Sequence, residues 1–225
     1  MTHVLVLTAV DVEANGLGRH LGLTRIPGDF PHFIGGALEV ACVGVRAVAL
    51  AERAPAFRAA SLVISAGACG ALAPTLAAGD LVVPRFVVDE DGTALAADPL
   101  PPLIPAGTLL SVERVLTTAA AKTRWWMQTG ALAVDMESKA ILAWARAQGA
   151  RAAVVRAVSD TATAAVPEDV AGIVEPGGRV RTAQALRVAL ARPRAVADAL
   201  ALGRGTNAAL RTVAAALARV TRSPR

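Results

Sequence analysis

Short runs of aliphatic and β-branched residues recur along this chain, with helix-patterned stretches between them. HVLVLTAV (3–10), LEVACVGV (38–45), SLVISAG (61–67) and ARAAVVRAVSD (150–160) are mostly continuous apolar runs rather than alternating ones. A strand apolar on both sides must be covered on both faces, and a mainly parallel sheet between helical layers does this. Further strands are expected in GDLVVPRFVV (79–88), interrupted at Pro84, in GTLLSV (107–112) and in ALAV (131–134). SLVISAG is expected to end at a glycine turn. Helices are expected over 48–58, 118–129 and 136–148, the last with Ala140, Ile141, Trp144 and Ala147 on its apolar face. The expected fold class is a three-layer α/β/α domain with a central mixed, mainly parallel sheet.

The length of 225 residues suits one large domain, and no Ser/Gly-rich linker divides it. No run of 18 apolar residues is present, and the start lacks the basic segment and cleavage site of a signal peptide, so neither a membrane span nor a leader is expected. Cys42 and Cys69 read as free buried thiols of a reducing compartment, and a cytoplasmic location follows. His3, His20 and His32 have no metal-ligand spacing, and no metal or cofactor is expected.

Charge is unevenly placed. Residues 1–178 carry 13 basic and 17 acidic side chains, whereas 179–225 carry ten arginines and one acid, Asp198. A single domain over 1–225 with a basic helical C-terminal extension from about 179 is therefore expected. In TNAALRTVAAALARV (206–220), Leu210, Val213, Leu217 and Val220 form a stripe, with Arg211 and Arg219 off it. Such a helix either covers a core or lies on a membrane surface, and covering a core is the commoner use. With 3% aromatic residues and no recognisable recognition module, nucleic acid is not an expected partner.

Acids stand at three strand ends. TAVDVEA holds Asp11 and Glu13, AVDMESKAI holds Asp135 and Glu137, and VVRAVSD ends on Asp160. Ligands of open α/β sheets gather at the carboxyl ends of strands. Each acid also has a plain structural use: Glu137 as a helix-dipole partner, Asp135 as an N-cap, Asp160 as a turn residue.

SAGACGALAPTLAAGDLVV (65–83), AVDMESKAI (133–141) and VVRAVSD (154–160), in this order and spacing, resemble the nucleoside phosphorylase and nucleosidase superfamily. VLVLTAVDVEA (4–14) looks like the first strand and catalytic loop of its hydrolases, the methylthioadenosine/S-adenosylhomocysteine nucleosidases and futalosine hydrolases. The match runs from about 4 to about 165. Beyond it, the segment starting VPEDVAGIVEPGGRV resembles the C-terminal part of the hopanoid-associated phosphorylases, the proposed adenosylhopane nucleosidases.

The resemblance assigns roles. Glu137 matches the carboxylate that binds the ribose hydroxyls, and Met136 the apolar surface under the sugar. Asp160 matches the acid facing N7 of the purine, with Ser159 and Arg156 as the neighbours that position it. Glu13, aligned through Ala9, matches the water-activating glutamate, which leaves Asp11 solvated or capping. In the loop GACGAL, Cys69 and Gly70 border the substrate, and Val115 and Leu116 of SVERVL match the purine pocket. Trp125 and Trp126 either line an apolar groove or pack.

Phosphorylases of this superfamily carry an arginine before the glycine loop and a serine or threonine within it. Here those positions are Ser65 and Ala68, which favours water over phosphate. The expectation is a purine nucleosidase acting on a 5′-modified adenosine, with adenosylhopane preferred. It is expected to work as a homodimer, with its basic tail at the inner membrane face. The alternatives are a phosphate-dependent phosphorylase, a methylthioadenosine/S-adenosylhomocysteine or futalosine hydrolase, and a nucleoside-binding protein without turnover.

Overall fold

The computed structural model describes residues 3–166, 175–179 and 193–222. In chain order the elements begin with β1 (Val4–Thr8), α1 (Asp11–His20), β2 (Thr24–Arg25), β3 (His32–Gly35) and β4 (Leu38–Cys42). Next come α2 (Leu50–Arg53), β5 (Leu62–Ala71), β6 (Leu81–Val82), β7 (Phe86–Val88), β8 (Ala94–Ala96) and β9 (Thr108–Ser111). The chain continues with α3 (Ala119–Thr129), β10 (Ala133–Asp135), α4 (Ser138–Ala147), β11 (Arg151–Asp160) and α5 (Pro193–Arg222).

All the strands among the described residues belong to one mixed sheet. Its order is β2-β3-β4-β1-β5-β10-β9-β7-β8, and β11 pairs with β5 and β6. Near the centre β1 runs parallel to β4 and β5, and β5 runs parallel to β11 but antiparallel to β10. Antiparallel pairs lie toward its edges, at β2–β3 and β7–β8.

The continuous apolar runs are explained by the two covered faces. Along β1, Val4 and Val6 enter one core with Ile64, Val155 and Leu210, while Leu5 and Leu7 enter another with Val63, Val154 and Ile141. Successive strand side chains point to opposite faces, and each face has helices on it. Burying one such Leu or Ile contributes about 1.5–3 kcal/mol.

Helix α5 belongs to the first of these cores. Leu210, Val213 and Leu217 are buried there, while Arg204, Arg211, Arg219 and Arg222 are exposed. The tail stripe thus covers the core. Gly205 lies so tightly on β11 that a Cβ there would stand 2.1 Å from the Ser159 carbonyl oxygen. The rest of the basic segment, 180–192 and 223–225, lies outside the described residues, as does 167–174.

Several local expectations change. The helix expected over 48–58 is only α2 flanked by single 3₁₀ turns, because the backbone is left-handed at Arg46 and Ala47 and Pro55 follows α2. β5 does not stop at the glycine but runs on to Ala71, which lengthens its pairing with β11. β2, β3 and β8 are strands additional to those expected. The buried face of α4 is Ser138, Ile141, Leu142 and Ala145, whereas Ala140 and Ala147 are exposed. That face is turned because Ser138 is drawn into the polar network beneath the site.

Candidate active site

Glu13 stands in the first turn of α1, where the chain leaves β1. Its Oε2 accepts the N–H groups of Ala9 and Val10 at 3.0 and 3.3 Å, and its Oε1 accepts that of Ala68 in β5 at 2.8 Å. Gly67 makes room: φ is +150°, and a Cβ there would stand 2.4 Å from Glu13 Oε1 and 2.9 Å from an Arg156 nitrogen. Burial pushes the Glu13 carboxyl up, against the pull of Arg156 and the three N–H donors.

Glu137 follows β10 and opens α4. Its Oε1 accepts the Arg46 N–H at 3.0 Å. Arg46 and Ala47 both have φ of 56°, a backbone state that costs a non-glycine residue on the order of 1 kcal/mol or more. Burial pushes Glu137 up to about 7; Arg156 opposes this, and the charges of Asp135 and Glu13 add to it.

Arg156 is wholly buried. Its guanidinium lies 2.7 Å from Asp135 and 3.5 Å from Glu137, and it donates to Ser65 Oγ at 2.9 Å and to the Ala68 carbonyl at 3.2 Å. Burial alone would lower its basicity, but Asp135, Glu137 and Glu13 hold it above the ordinary arginine value. One guanidinium thus serves three carboxylates.

Asp135 does accept the N–H of Ser138 at 3.1 Å, as a cap would, but it also carries the tightest pairing to Arg156. Ser111 Oγ donates to it at 2.9 Å. Ser65, the position aligned with a phosphorylase arginine, is hydrogen-bonded to Ser138 at 2.9 Å.

Asp160 ends β11. Ser159 Oγ donates to its Oδ1 at 2.6 Å, and Lys122 of α3 forms an ion pair with its Oδ2. Lys122 is 1% exposed and also donates to the carbonyls of Thr161 and Ala164, at 2.9 and 3.0 Å.

A cavity of about 180 Å³ opens between these groups. Asp160, Ser159, Cys69 and Gly70 line one part, Met136 and Glu137 another, and Val115 and Leu116 an apolar part with Val112 and Val166. Glu13 and Arg156 stand behind the lining, Glu13 bonded to Ala68, which belongs to it. Arg156 therefore differs from its expected place: it holds Asp135 and Glu137, and Ser159 and Lys122 are the side chains on Asp160. Trp125 packs against the buried cluster of Leu72, Leu110, Val112, Ala131 and Val134, as do Leu116 and Met136. Burial pushes the Cys69 thiol far up, so it is an inert part of the lining.

Lys122, Arg46 and Ser138 were not singled out from the sequence. Lys122 had a signal: the chain has two lysines, Lys122 and Lys139, among many arginines. Both pair with aspartates, Lys139 with Asp89. Among the described residues, no group of three His, Cys, Asp or Glu is arranged to hold a metal ion, and no helix is long and apolar enough to cross a membrane.

The sequence model described as the phosphorylase superfamily matches residues 94–201. Over that stretch the chain is similar to the phosphorylase superfamily. Solved structures agree on the fold. A mutant methylthioadenosine nucleosidase from Helicobacter pylori, holding 5′-methylthioadenosine, is 15% identical with a TM-score of 0.71, over 98% of each chain. The futalosine hydrolase of Helicobacter pylori is 16% identical with a TM-score of 0.70, over 98% of this chain and 97% of that one. A Neisseria meningitidis 5′-methylthioadenosine/S-adenosylhomocysteine nucleosidase, in complex with methylthio-immucillin-A, is 18% identical with a TM-score of 0.70, over 100% of both. At these identities the likeness speaks for the fold alone. No curated protein matches the sequence.

Proposed function

We propose that this chain is a purine nucleosidase of the phosphorylase superfamily that cleaves the N-glycosidic bond of a 5′-modified adenosine with water. The observation that carries the reading is Glu13, fixed by three backbone N–H groups behind a cavity that also holds Glu137 and Asp160. The purine lies toward Asp160 and Gly70, and the ribose on Met136 and Glu137. As the C–N bond breaks, its electrons pass to the purine and positive charge grows on the sugar. Glu137, bonded to the ribose hydroxyls, favours that charge. A proton delivered at Asp160 lets the base leave neutral, and Glu13 takes a proton from the attacking water.

Water is favoured over phosphate because the Glu13 carboxylate occupies the Gly67–Ala68 backbone, where it would repel an anion, and because Ser65 and Ala68 replace phosphate-holding residue types. The preferred substrate is adenosylhopane. Support comes from the C-terminal resemblance and from Arg204, Arg211, Arg219 and Arg222, which are exposed on α5 and suited to an anionic lipid surface. With the apolar stripe of α5 docked, that contact is electrostatic rather than insertive. A homodimer and a place at the inner membrane face complete the proposal.

Purified protein is incubated with adenosylhopane, 5′-methylthioadenosine, S-adenosylhomocysteine and futalosine, with and without phosphate, and free base is measured. Phosphate-independent base release, fastest from adenosylhopane, is expected. Strict phosphate dependence would select the phosphorylase, and tight binding without base release would leave a nucleoside-binding protein.

A further inference from the structure

Lys122 is a buried cation at the cavity that none of the roles above uses. Its three ammonium hydrogens have three acceptors: Asp160 Oδ2 and the carbonyls of Thr161 and Ala164. The two carbonyls match the two N–H bonds that a neutral amine keeps. The third hydrogen points at a carboxylate oxygen that can take it. Oδ2 also borders the cavity, since a Cβ on Gly70 would stand 3.1 Å from it. The other oxygen, Oδ1, already accepts from Ser159.

We propose that Lys122 is a positioning residue that supplies, through Asp160, the proton taken by the departing purine; this rests on the nucleosidase reading above. The Nζ–H bond breaks as Oδ2–H forms. Oδ2–H then breaks as N–H forms on the base, whose ring nitrogen provides the electron pair. The base leaves neutral, Asp160 ends as a carboxylate, and Lys122 ends as an amine held by Thr161 and Ala164 until solvent returns its proton. The pair carries no net charge before the transfer, so a purine approaching it meets an acid without an isolated buried charge.

The test varies the need for a proton on the leaving group. Wild type, K122M, K122R and D160N are compared on the fastest nucleoside of the panel above and on p-nitrophenyl β-D-ribofuranoside, whose leaving group departs as an anion unaided. The expected result is that K122M and D160N lose about 10²–10⁴-fold in kcat for base release from the nucleoside, whereas K122M changes by less than about threefold for nitrophenol release. Arginine keeps the charge but does not give up its proton, so K122R is expected to be as slow as K122M on the nucleoside. Equal losses on both substrates would mean a structural lysine and overturn the proposal, as would full recovery of adenine release in K122R. If wild type releases adenine and K122M matches it, the proposal alone falls. If wild type releases none, the nucleosidase reading falls and takes the proposal with it.

Discussion

The carboxylate of Glu13 accepts the backbone N–H of Ala68 at 2.8 Å, and this bond ties the loop after β1 to the cavity lining on β5. Two residues 55 positions apart thereby share one geometry, and the general-base proposal depends on it.

Replacing Glu13 by Gln keeps an acceptor oxygen but removes the base. E13Q is expected to lose about 10²–10⁴-fold in kcat, with nucleoside affinity little changed. Single-turnover kinetics and calorimetric binding check this, and unchanged turnover would remove Glu13 from the mechanism.

Gly67 guards the same contact. In G67A the new methyl meets Glu13 Oε1, with φ already in glycine territory. A loss of about 1–3 kcal/mol in unfolding free energy is expected from the forced shift, together with a fall in kcat. Denaturant unfolding followed by assay measures both.

Glu137 sets the acid side of the pH profile. Its carboxyl is pushed up to about 7 by burial, and the proposed ribose binding uses the ionised form. The free enzyme's kcat/KM is therefore expected to fall as pH drops through about 7. A limb near 4.5, the ordinary glutamate value, would contradict the buried, Arg156-paired site.

The same shift has a stability consequence of opposite direction. A carboxyl whose folded pKa is raised stabilises the fold below its unfolded value, and that stability is lost as pH rises from about 4.5 to about 7. E137Q, which resembles the protonated form, is expected to unfold with up to about 3 kcal/mol more free energy than wild type at pH 8. Near pH 4 the difference should vanish. Chemical denaturation at the two pH values checks this.

Glu39 behaves in the other sense. Burial alone would raise its carboxyl, but hydrogen bonds with His32 and His3 at 2.6 and 2.7 Å, with the Arg58 N–H, hold it below the usual value. Its contribution is present above the unfolded pKa and is lost as pH falls through the lowered one. E39Q is expected to show a flatter acid limb in thermal melting below pH 4.5 than wild type.

Much of the architecture could be read from the chain because a sheet covered on both faces leaves continuous apolar runs, as in β1, β5 and β11. The helix expected over 48–58 failed because its composition is helical while the Arg46–Ala47 backbone is set by the tertiary contact of Arg46 N–H with Glu137. Acids at strand ends pointed to the neighbourhood of Glu13, Glu137 and Asp160, since topology alone brings those ends together. Their partners were hidden, because a lysine on α3 and an arginine mid-strand meet them only through packing. Arg156 looked like the neighbour of Asp160 by sequence. Pleating instead sends its side chain to the α4 face, toward Asp135 and Ser138.

The close seat of Gly205 on the Ser159 carbonyl gives the last helix more than a covering duty. It backs the residue that hydrogen-bonds Asp160, so the acid proposed at the front of β11 has a foundation laid by α5. Trimming that helix would loosen Asp160 from behind, and a fused partner is better joined beyond Arg222 than in place of the helix.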